Sequence, residues 1–318
     1  MKERVAVLMG GLTREREISL LSGKAVAEAL ACRKYQVFPL DINGKVKLEK
    51  ELREQKIEIV FIALHGSYGE DGSIQQRLEE LKIPYTGSRV KASYLAFNKI
   101  EAKRIFRDKG IPTPPFFVIN KNQEYNSVLK EMPFQFPWVV KPGAEGSSIG
   151  LSIVEAKGQL DKALELASAC GEKILLEKYI AGKEITVGIL DECSLPIVEI
   201  VPKNRFYDYQ AKYSEGFSEY LVPAPIDLEV YQQTQRIALA AHHALGCEGI
   251  SRVDMRLDEQ NQPYVLEINT IPGLTHFSLL PKAAQRIGVS FPDLCSILVK
   301  LAKSRMANYE QTQKKKTA

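Results

Sequence analysis

The chain has 318 residues, of which 45% are hydrophobic and 26% charged, as is typical of a soluble globular protein with two or three cores. Lysine and arginine number 43 against 39 acidic residues, and this balance, with no basic stripe, disfavours a dedicated nucleic-acid binder. The five cysteines lack C-x-x-C spacing, and no apolar run approaches the ~20 residues of a membrane span, which disfavours zinc, disulfide and membrane classes.

The N-terminal part of the chain alternates strand-like and helix-like segments. Four segments carry this pattern: RVAVLMGG, SLLSGKAVAEALAC, YQVFPLDI and IEIVFIALHG. Such an order predicts a parallel, doubly wound α/β sheet, whose ligands gather where strands end and turns begin. The loops at 10–17 and 65–72 are therefore candidate site loops.

The middle and last parts of the chain follow a breaker. The helical stretch KIEAKRIFRDKG runs into IPTPP, which predicts a linker near 98–115. Beyond it the pattern predicts the strands FPWVVKP, LSIVEA, KILLEKYI, GKEITVGIL and LPIVEIVP, helices near 159–170 and 228–246, a polar aromatic loop at 203–220 and a strand pair at 250–269.

The last strand pair predicts an oxygen-rich face. ISRVDMRL and QPYVLEIN are joined by the polar turn DEQN, and pairing Leu257 with Tyr264 places Asp254 opposite Glu267 and Arg252 opposite Asn269. Because side chains alternate along a strand, two sets of four result: Arg252, Asp254, Glu267 and Asn269 on one face, and Val253, Met255, Leu266 and Ile268 on the other.

The polar face suits a magnesium ion. Magnesium prefers octahedral oxygen ligands and keeps several of them from water and substrate phosphates, so two carboxylates and an amide suffice from the protein. The alternative is a surface sheet with ordinary salt bridges. That alternative is weakened by the apolar neighbours of Glu267, because an unpaired buried carboxylate is costly.

A glycine- and serine-rich loop lies between two predicted strands in WVVKPGAEGSSIGLSIV. Backbone N–H groups and hydroxyls of such a loop donate to phosphate oxygens, and Lys141 adds a point charge. The loop is not a Walker A motif, because no G-K-[ST] follows it. A flexible hairpin tip is the alternative. Together with the polar hairpin face, the loop predicts a nucleoside triphosphate clamped between two sheets.

Eight stretches occur together in the order and spacing of one known family: GGLTREREISL, FIALHGSYGEDG, PYTGS, KPGAEGSSIG, LLEKYIAGKEITVGIL, FYDYQAKY, SRVDM and EINTIPGLTHFSL. The chain resembles D-alanine–D-alanine ligases of the ATP-grasp superfamily over essentially its full ordered length. The resemblance implies an α/β fold, α+β in part, divided as follows: a Rossmann-like domain at 1–97, a central ATP-grasp domain at 98–180, a C-terminal ATP-grasp domain at 181–306 and a disordered tail at 307–318.

The resemblance also implies an activity. Two D-alanines would be joined to D-alanyl-D-alanine through an acyl phosphate, with release of ADP and phosphate, for peptidoglycan precursor synthesis. The cofactors would be ATP and two magnesium ions, with manganese able to substitute, in a cytoplasmic homodimer without nucleic-acid or membrane partners. Since water would also attack an acyl phosphate, a lid is needed. NRFYDYQAKYSEG is the candidate, against a surface loop with aromatic packing.

Individual roles follow from the resemblance alone. Those for ATP are Lys99, Lys141 and Ser148 at the phosphates, Glu177, Lys178 and Ile180 at adenine, Glu184 at ribose and Lys212 on closure. Those for metal are Asp254, Glu267 and Asn269. Those for catalysis are Glu15 at the first ammonium, Ser147 and Tyr213 linking it to the mobile loop, and Arg252 with the Gly273 N–H at the oxyanion. Those for the remaining substrate contacts are His65, Ser278 and Leu279.

Several of these residues also have ordinary readings. Glu15 lies at a predicted helix start, where the helix dipole favours acidic residues in any case. His65 ends a buried strand and suits a packed role. Three positions depart from the family: Asn98 stands where aspartate is common, Gln76 where a smaller residue is typical, and Arg256 where an apolar residue is usual.

Two alternatives to this function stay open. One is a ligase that makes another dipeptide or a D-alanine–D-lactate ester, although Tyr213 after Lys212 resembles the dipeptide-forming type. The other is a nucleotide-binding regulatory protein without catalysis. The complete set of metal and oxyanion residues argues against the regulatory reading, because binding alone does not need it.

Overall fold

The computed structural model describes residues 2–121, 123, 132–146, 149–202 and 218–316, with side chains up to residue 305. The strands are β1 (Arg4–Gly10), β2 (Gln36–Ile42), β3 (Ile59–Ile62), β4 (Phe116–Asn120), β5 (Trp138–Pro142), β6 (Ser152–Val154), β7 (Lys173–Lys178), β8 (Lys183–Leu190), β9 (Cys193–Ser194), β10 (Val198–Pro202), β11 (Ser218–Leu221), β12 (Ile250–Leu257) and β13 (Pro263–Asn269). The α-helices are α1 (Arg16–Ala31), α2 (Leu48–Glu54), α3 (Ser73–Glu80), α4 (Val90–Phe97), α5 (Lys99–Asp108), α6 (Leu160–Ser168), α7 (Leu228–Leu245), α8 (Leu279–Arg286) and α9 (Phe291–Lys316).

The first sheet is parallel, in the order β2-β1-β3. Its central strand is an apolar run whose residues Val5 to Leu8 are fully buried, as both faces are covered. The predicted α/β class is confirmed. Since the carboxyl ends of parallel strands meet at one edge, the loops after β1 and β3 bring Glu15 and His65 to the same place.

The second sheet is antiparallel, in the order β4-β7-β5-β6, and it packs on α6 through an apolar core. Val139 of β5 lies opposite Glu177 of β7. Lys141 stands two residues further along β5, on the same face as Val139. This alternation places a lysine and a carboxylate diagonally across two paired strands.

The third sheet runs β11-β10-β8-β12-β13, with β9 beside β8. The prediction that Asp254 lies opposite Glu267, and Arg252 opposite Asn269, is confirmed. The pairing of Leu257 with Tyr264 is wrong, because Leu257 lies opposite Pro263.

A β-bulge between Asp254 and Met255 accounts for this shift of one residue. Leu266 is the extra residue of the bulge, so it leaves the core face on which it was predicted. Val265, which is fully buried, fills that face instead.

The cores cross the predicted domain boundaries. Val5 and Phe61 of the first sheet share one apolar core with Leu294 and Val299 of α9. A second core joins α4 and α5 to β8, β12 and β13. Helices outside the C-terminal range thus help to hold the sheet that carries the predicted metal residues.

Helix α9 differs from the prediction at its end. It continues to Lys316, through most of the polar tail predicted as disordered from 307. Its alanine, glutamate, glutamine and lysine residues all have favourable helix propensity, which explains the continuation. Across the residues described, none of the helices combines the length and the apolar character needed to cross a membrane.

Candidate active site

The hairpin face of β12 and β13 is a hydrogen-bonded network centred on Asp254. Arg252 donates to both carboxylate oxygens, with Nε–Oδ1 at 2.8 Å and Nη2–Oδ2 at 2.7 Å. The Thr186 hydroxyl donates to Oδ1 at 2.7 Å, and Nδ2 of Asn269 donates to Oδ2 at 2.9 Å. Arg252 and Asp254 keep 19% and 18% of their side chains exposed, so the network is held rigidly but stays accessible.

Lys99 joins the phosphate side of the predicted site to the metal side. Its Nζ lies 3.0 Å from Oε2 of Glu267 and donates to the Glu145 carbonyl at 2.6 Å. Burial alone would lower the pKa of Lys99, but the charge and hydrogen bond of Glu267, together with the charges of Glu70 and Glu177, raise that pKa above its ordinary value. Lys99 therefore remains a cation.

Asn98 can cap α5 as the aspartate common in the family would. Its side-chain oxygen accepts from the Glu101 N–H at 3.2 Å and so caps α5. Asparagine and aspartate are about equally good N-caps, since each supplies one such acceptor. The departure therefore leaves Lys99 held at the first residue of a capped helix.

Glu177 is enclosed by two lysines. Nζ of Lys103 lies 2.6 Å from Oε1 and Nζ of Lys141 lies 2.8 Å from Oε2, with only 2% of the Glu177 side chain exposed. Burial alone would raise the pKa of Glu177, but both lysines oppose it and hold that pKa below its ordinary value. Burial lowers the pKa of Lys103 to about 8, although Glu177 resists the shift.

The enclosed cluster is tied to the hairpin. Nζ of Lys103 also donates to Thr113 Oγ1 at 2.5 Å, and that hydroxyl donates to the Val265 carbonyl at 2.8 Å. Val265 is the residue beside the bulge. One chain of hydrogen bonds thus runs from Glu177 to the strand that presents Glu267.

Glu15 and His65 meet where β1 and β3 end. Glu15 is 7% exposed, and a Cβ added at Gly66 or at Gly146 would lie 2.5 or 2.8 Å from its carboxylate oxygen. Only glycines allow both loops to approach Glu15 so closely. His65 Nε2 lies 3.1 Å from Ser22 Oγ, which also accepts from the Leu274 N–H at 3.4 Å.

The segment after β13 brings three further predicted residues together. Ser278 precedes α8, and its Oγ accepts from the Thr275 N–H at 3.1 Å. A Cβ at Gly273 would lie 3.1 Å from the same Oγ, so this hydroxyl occupies the space beside Gly273. Leu279 is the first residue of α8 and is 8% exposed.

The turn between β7 and β8 carries the residues predicted for adenine and ribose. Lys178 has an exposed side chain, and its N–H donates to the Pro115 carbonyl at 2.9 Å. Ile180 is 6% exposed. Glu184 lies opposite Arg256, whose Nη1 is 3.4 Å from Glu184 Oε2.

Some residues that support the site were not predicted from the sequence, and some predicted residues lie outside the described ranges. Thr186, Lys103, Thr113 and Ser22 hold Asp254, Glu177, Val265 and His65, yet no motif singles them out. The one available signal is the spacing of four between Lys99 and Lys103, which puts both on one side of α5. Ser147, Ser148, Lys212, Tyr213 and the candidate lid lie outside the described residues.

The donor set of the hairpin face fits magnesium. Asp254, Glu267 and Asn269 offer oxygens from one rigid hairpin, and the bond from Nδ2 of Asn269 to Asp254 leaves the amide oxygen to a different partner. Within the described ranges no group of three or more His, Cys, Asp or Glu side chains is assembled for a metal. A magnesium ion here would take its other ligands from water and phosphates, as it normally does.

Comparison with known proteins agrees with this geometry. Two family models match, D-ala D-ala ligase N-terminus over residues 43–88 and D-ala D-ala ligase C-terminus over residues 105–300. The D-alanine–D-alanine ligase of Trichlorobacter lovleyi is 47% identical over 92% of this chain and 93% of its own. That of Desulforudis audaxviator is 46% identical over 96% of this chain and 100% of its own.

A solved structure gives the same answer at the level of the fold. The D-alanine–D-alanine ligase from Bacillus anthracis, complexed with ATP, is 32% identical, covers 96% of this chain and 99% of its own, and superposes with a TM-score of 0.84. Such coverage leaves no large part of either chain unmatched. The chain belongs to the D-alanine–D-alanine ligase family.

Proposed function

We propose that the protein joins two D-alanines to D-alanyl-D-alanine, using ATP and magnesium and passing through an acyl phosphate. The observation that best supports this reaction is the single accessible face that carries Arg252, Asp254 and Asn269, with Lys99 bound to Glu267. A protein that only binds nucleotide has no need for a fixed guanidinium beside the metal ligands.

The first step creates the acyl phosphate. The carboxylate of the first D-alanine attacks the γ-phosphate of ATP, the bond from that phosphorus to the bridging oxygen breaks, and ADP leaves. Lys99 and Lys141 bind phosphate oxygens, while Glu15 holds the ammonium of the first D-alanine. Asp254, Glu267 and Asn269 would hold magnesium, which would offset the negative charge on the phosphates.

The second step forms the amide. The amine of the second D-alanine attacks the acyl carbon, and the tetrahedral oxyanion is met by Arg252 and the Gly273 N–H before phosphate leaves. Because Asp254 binds Arg252 through two bonds, the guanidinium is oriented before substrate arrives. Ser278 and Leu279 at the start of α8 receive the second carboxylate, with His65 near the first D-alanine.

The direct test is phosphate release from ATP with magnesium and either D-alanine or L-alanine, with mass detection of the product. We expect release and D-alanyl-D-alanine with the D isomer alone. The control is Arg104→Met, which removes an exposed arginine whose one ion pair among the described residues is with Glu101 on α5. No release with either isomer, despite ATP binding, would contradict the proposal.

The family further suggests a cytoplasmic homodimer. Sedimentation equilibrium of the purified chain, whose mass is 35.6 kDa, would test the assembly. A mass corresponding to two chains is expected at micromolar concentration, and a single-chain mass under those conditions would rule the dimer out.

A further inference from the structure

Arg256 extends the polar face of β12 beyond the predicted metal residues. It stands two positions after Asp254, and its strand partner on β8 is Glu184, just as Thr186 is the partner of Asp254. Paired residues on neighbouring strands share a face. The guanidinium therefore lies on the nucleotide side of the sheet, beside the carboxylate assigned to ribose.

Three contacts hold the guanidinium in place. Nη2 donates to the Gly182 carbonyl at 2.7 Å, Nη1 lies 3.4 Å from Glu184 Oε2, and Cζ lies 5.2 Å from the centre of the Tyr179 ring. The last distance is within the range of a cation–π contact. Arg256 thus connects the strand that bears Glu184 with the turn that precedes it.

One donor of Arg256 is buried without use. Within the described residues, Nε is shielded from solvent and has no hydrogen-bond acceptor. Because Nε is shielded, an acceptor from outside the chain does not reach it in this conformation, so Arg256 acts on the site through its contact with Glu184. The exposed part of the Arg256 side chain, 16%, therefore belongs to its other atoms.

We propose that Arg256 completes the ribose site by orienting the Glu184 carboxylate toward the ribose hydroxyls. The proposal rests on the assignment of Glu184 to ribose made above. Glu184 keeps 24% of its side chain exposed, and the Arg256 guanidinium lies 3.4 Å from its Oε2. A carboxylate held in this way can still accept hydrogen bonds from two adjacent hydroxyls.

The experiment compares ATP with 2′,3′-dideoxy-ATP, which lacks both hydroxyls. Dissociation constants are measured by calorimetry without D-alanine, and thermal melting checks that each variant is folded. In Arg256→Met we expect ATP to bind about tenfold more weakly, the effect of losing a charged hydrogen bond. Dideoxy-ATP should bind as before, so the preference for ATP falls.

Further variants separate a role in ribose binding from a general loss of packing. Arg256→Lys keeps the charge without the fork and should lie between wild type and Arg256→Met. Arg104→Met, which removes an exposed arginine on α5, should leave the dissociation constants of both nucleotides unchanged. Adding Arg256→Met to Glu184→Ala should cost no further preference, because both act on the same hydroxyls.

Unchanged preference in Arg256→Met, or equal weakening of both nucleotides, would overturn the proposal. The ligase assignment fails on a different result, namely no dipeptide from ATP and D-alanine. A protein that made no dipeptide but lost its preference for ATP in Arg256→Met would refute the ligation and retain the role of Arg256. An active ligase with unchanged preference in that variant would do the reverse.

Discussion

Two acidic centres of the site are held in opposite ways. Glu177 is sealed, with 2% of its side chain exposed and a lysine at each carboxylate oxygen. Asp254 and Glu267 keep 18% and 22% exposed. The folded protein tolerates a sealed carboxylate only if countercharges lie beside it. A partly exposed carboxylate can exchange its partners for new ligands while the protein stays folded. Burial thus separates the residue that supports the site from those that would perform its chemistry.

The largest effect on stability is expected at Lys103, one of the two countercharges of the sealed Glu177. Lys103→Met leaves Glu177 buried with one lysine, and we expect the free energy of unfolding to fall by about 3–5 kcal/mol. Urea unfolding followed by circular dichroism measures it. Lys109→Met, at an exposed lysine that follows α5, is the matched control. A loss below about 1 kcal/mol would show that Lys103 is dispensable.

The open centre should respond in rate rather than stability. Arg252→Met should lower kcat by about 100- to 1000-fold, as expected when a preorganised oxyanion donor is lost. Coupled detection of phosphate release gives the rate, and calorimetry should show ATP still bound. A kcat within about tenfold of wild type would remove Arg252 from the chemical step.

The metal side of the open centre should show a smaller effect. Glu267→Gln keeps the size of the side chain but removes its charge, and we expect the magnesium concentration for half-maximal activity to rise about 10- to 100-fold. A magnesium titration at saturating ATP measures this shift. The control is Glu101→Gln, which removes a carboxylate from the surface of α5 and should leave the magnesium concentration for half-maximal activity unchanged. An unaltered requirement in Glu267→Gln would contradict a metal role.

His242 offers a third case for this comparison, because it is buried and forms no ion pair with any of the described residues. Its Nδ1 lies 2.7 Å from Ser251 Oγ, and burial lowers the pKa of its imidazole from 6.5 to about 4. The unfolded chain therefore binds the proton first as pH falls, so stability is lost between pH 6.5 and 4. From pH 7 to 5.5 this group should cost about 1 kcal/mol.

Urea unfolding of wild type and His242→Gln at both pH values tests this dependence. The variant cannot take up the proton, so its stability should change less between the two values. An equal change in both proteins would assign the loss to other groups.

The sequence predicts the hairpin face well because alternation is a local rule. Two residues per repeat suffice to place Asp254 opposite Glu267 once the turn is recognised. The bulge at Leu266 is a different matter, since an extra residue depends on how β13 meets the rest of the protein. The prediction was therefore right near the metal residues and wrong by one residue at the turn.

The sealed cluster could not be predicted in the same way. KIEAKRIFRDKG contains several similar cations, and the helical pattern alone does not tell which of them becomes buried. Lys103 is the cation that becomes buried because Glu177 of β7 and Thr113 of the linker pack against it in the fold. Its burial therefore depends on the tertiary structure and not on the helical pattern of α5. Roles that depend on such meetings, including that of Arg256, emerge only from the folded chain.

The shared core of the first sheet and α9 bears on the order of events during synthesis. Val5 and Phe61 leave the ribosome well before Leu294 and Val299, which lie far later in the chain. At typical bacterial to eukaryotic elongation rates the delay is on the order of 10–50 s. During that interval α1 packs on the parallel sheet, but the part of the core that α9 supplies is still missing. The core of the N-terminal part is therefore completed only once α9 has emerged.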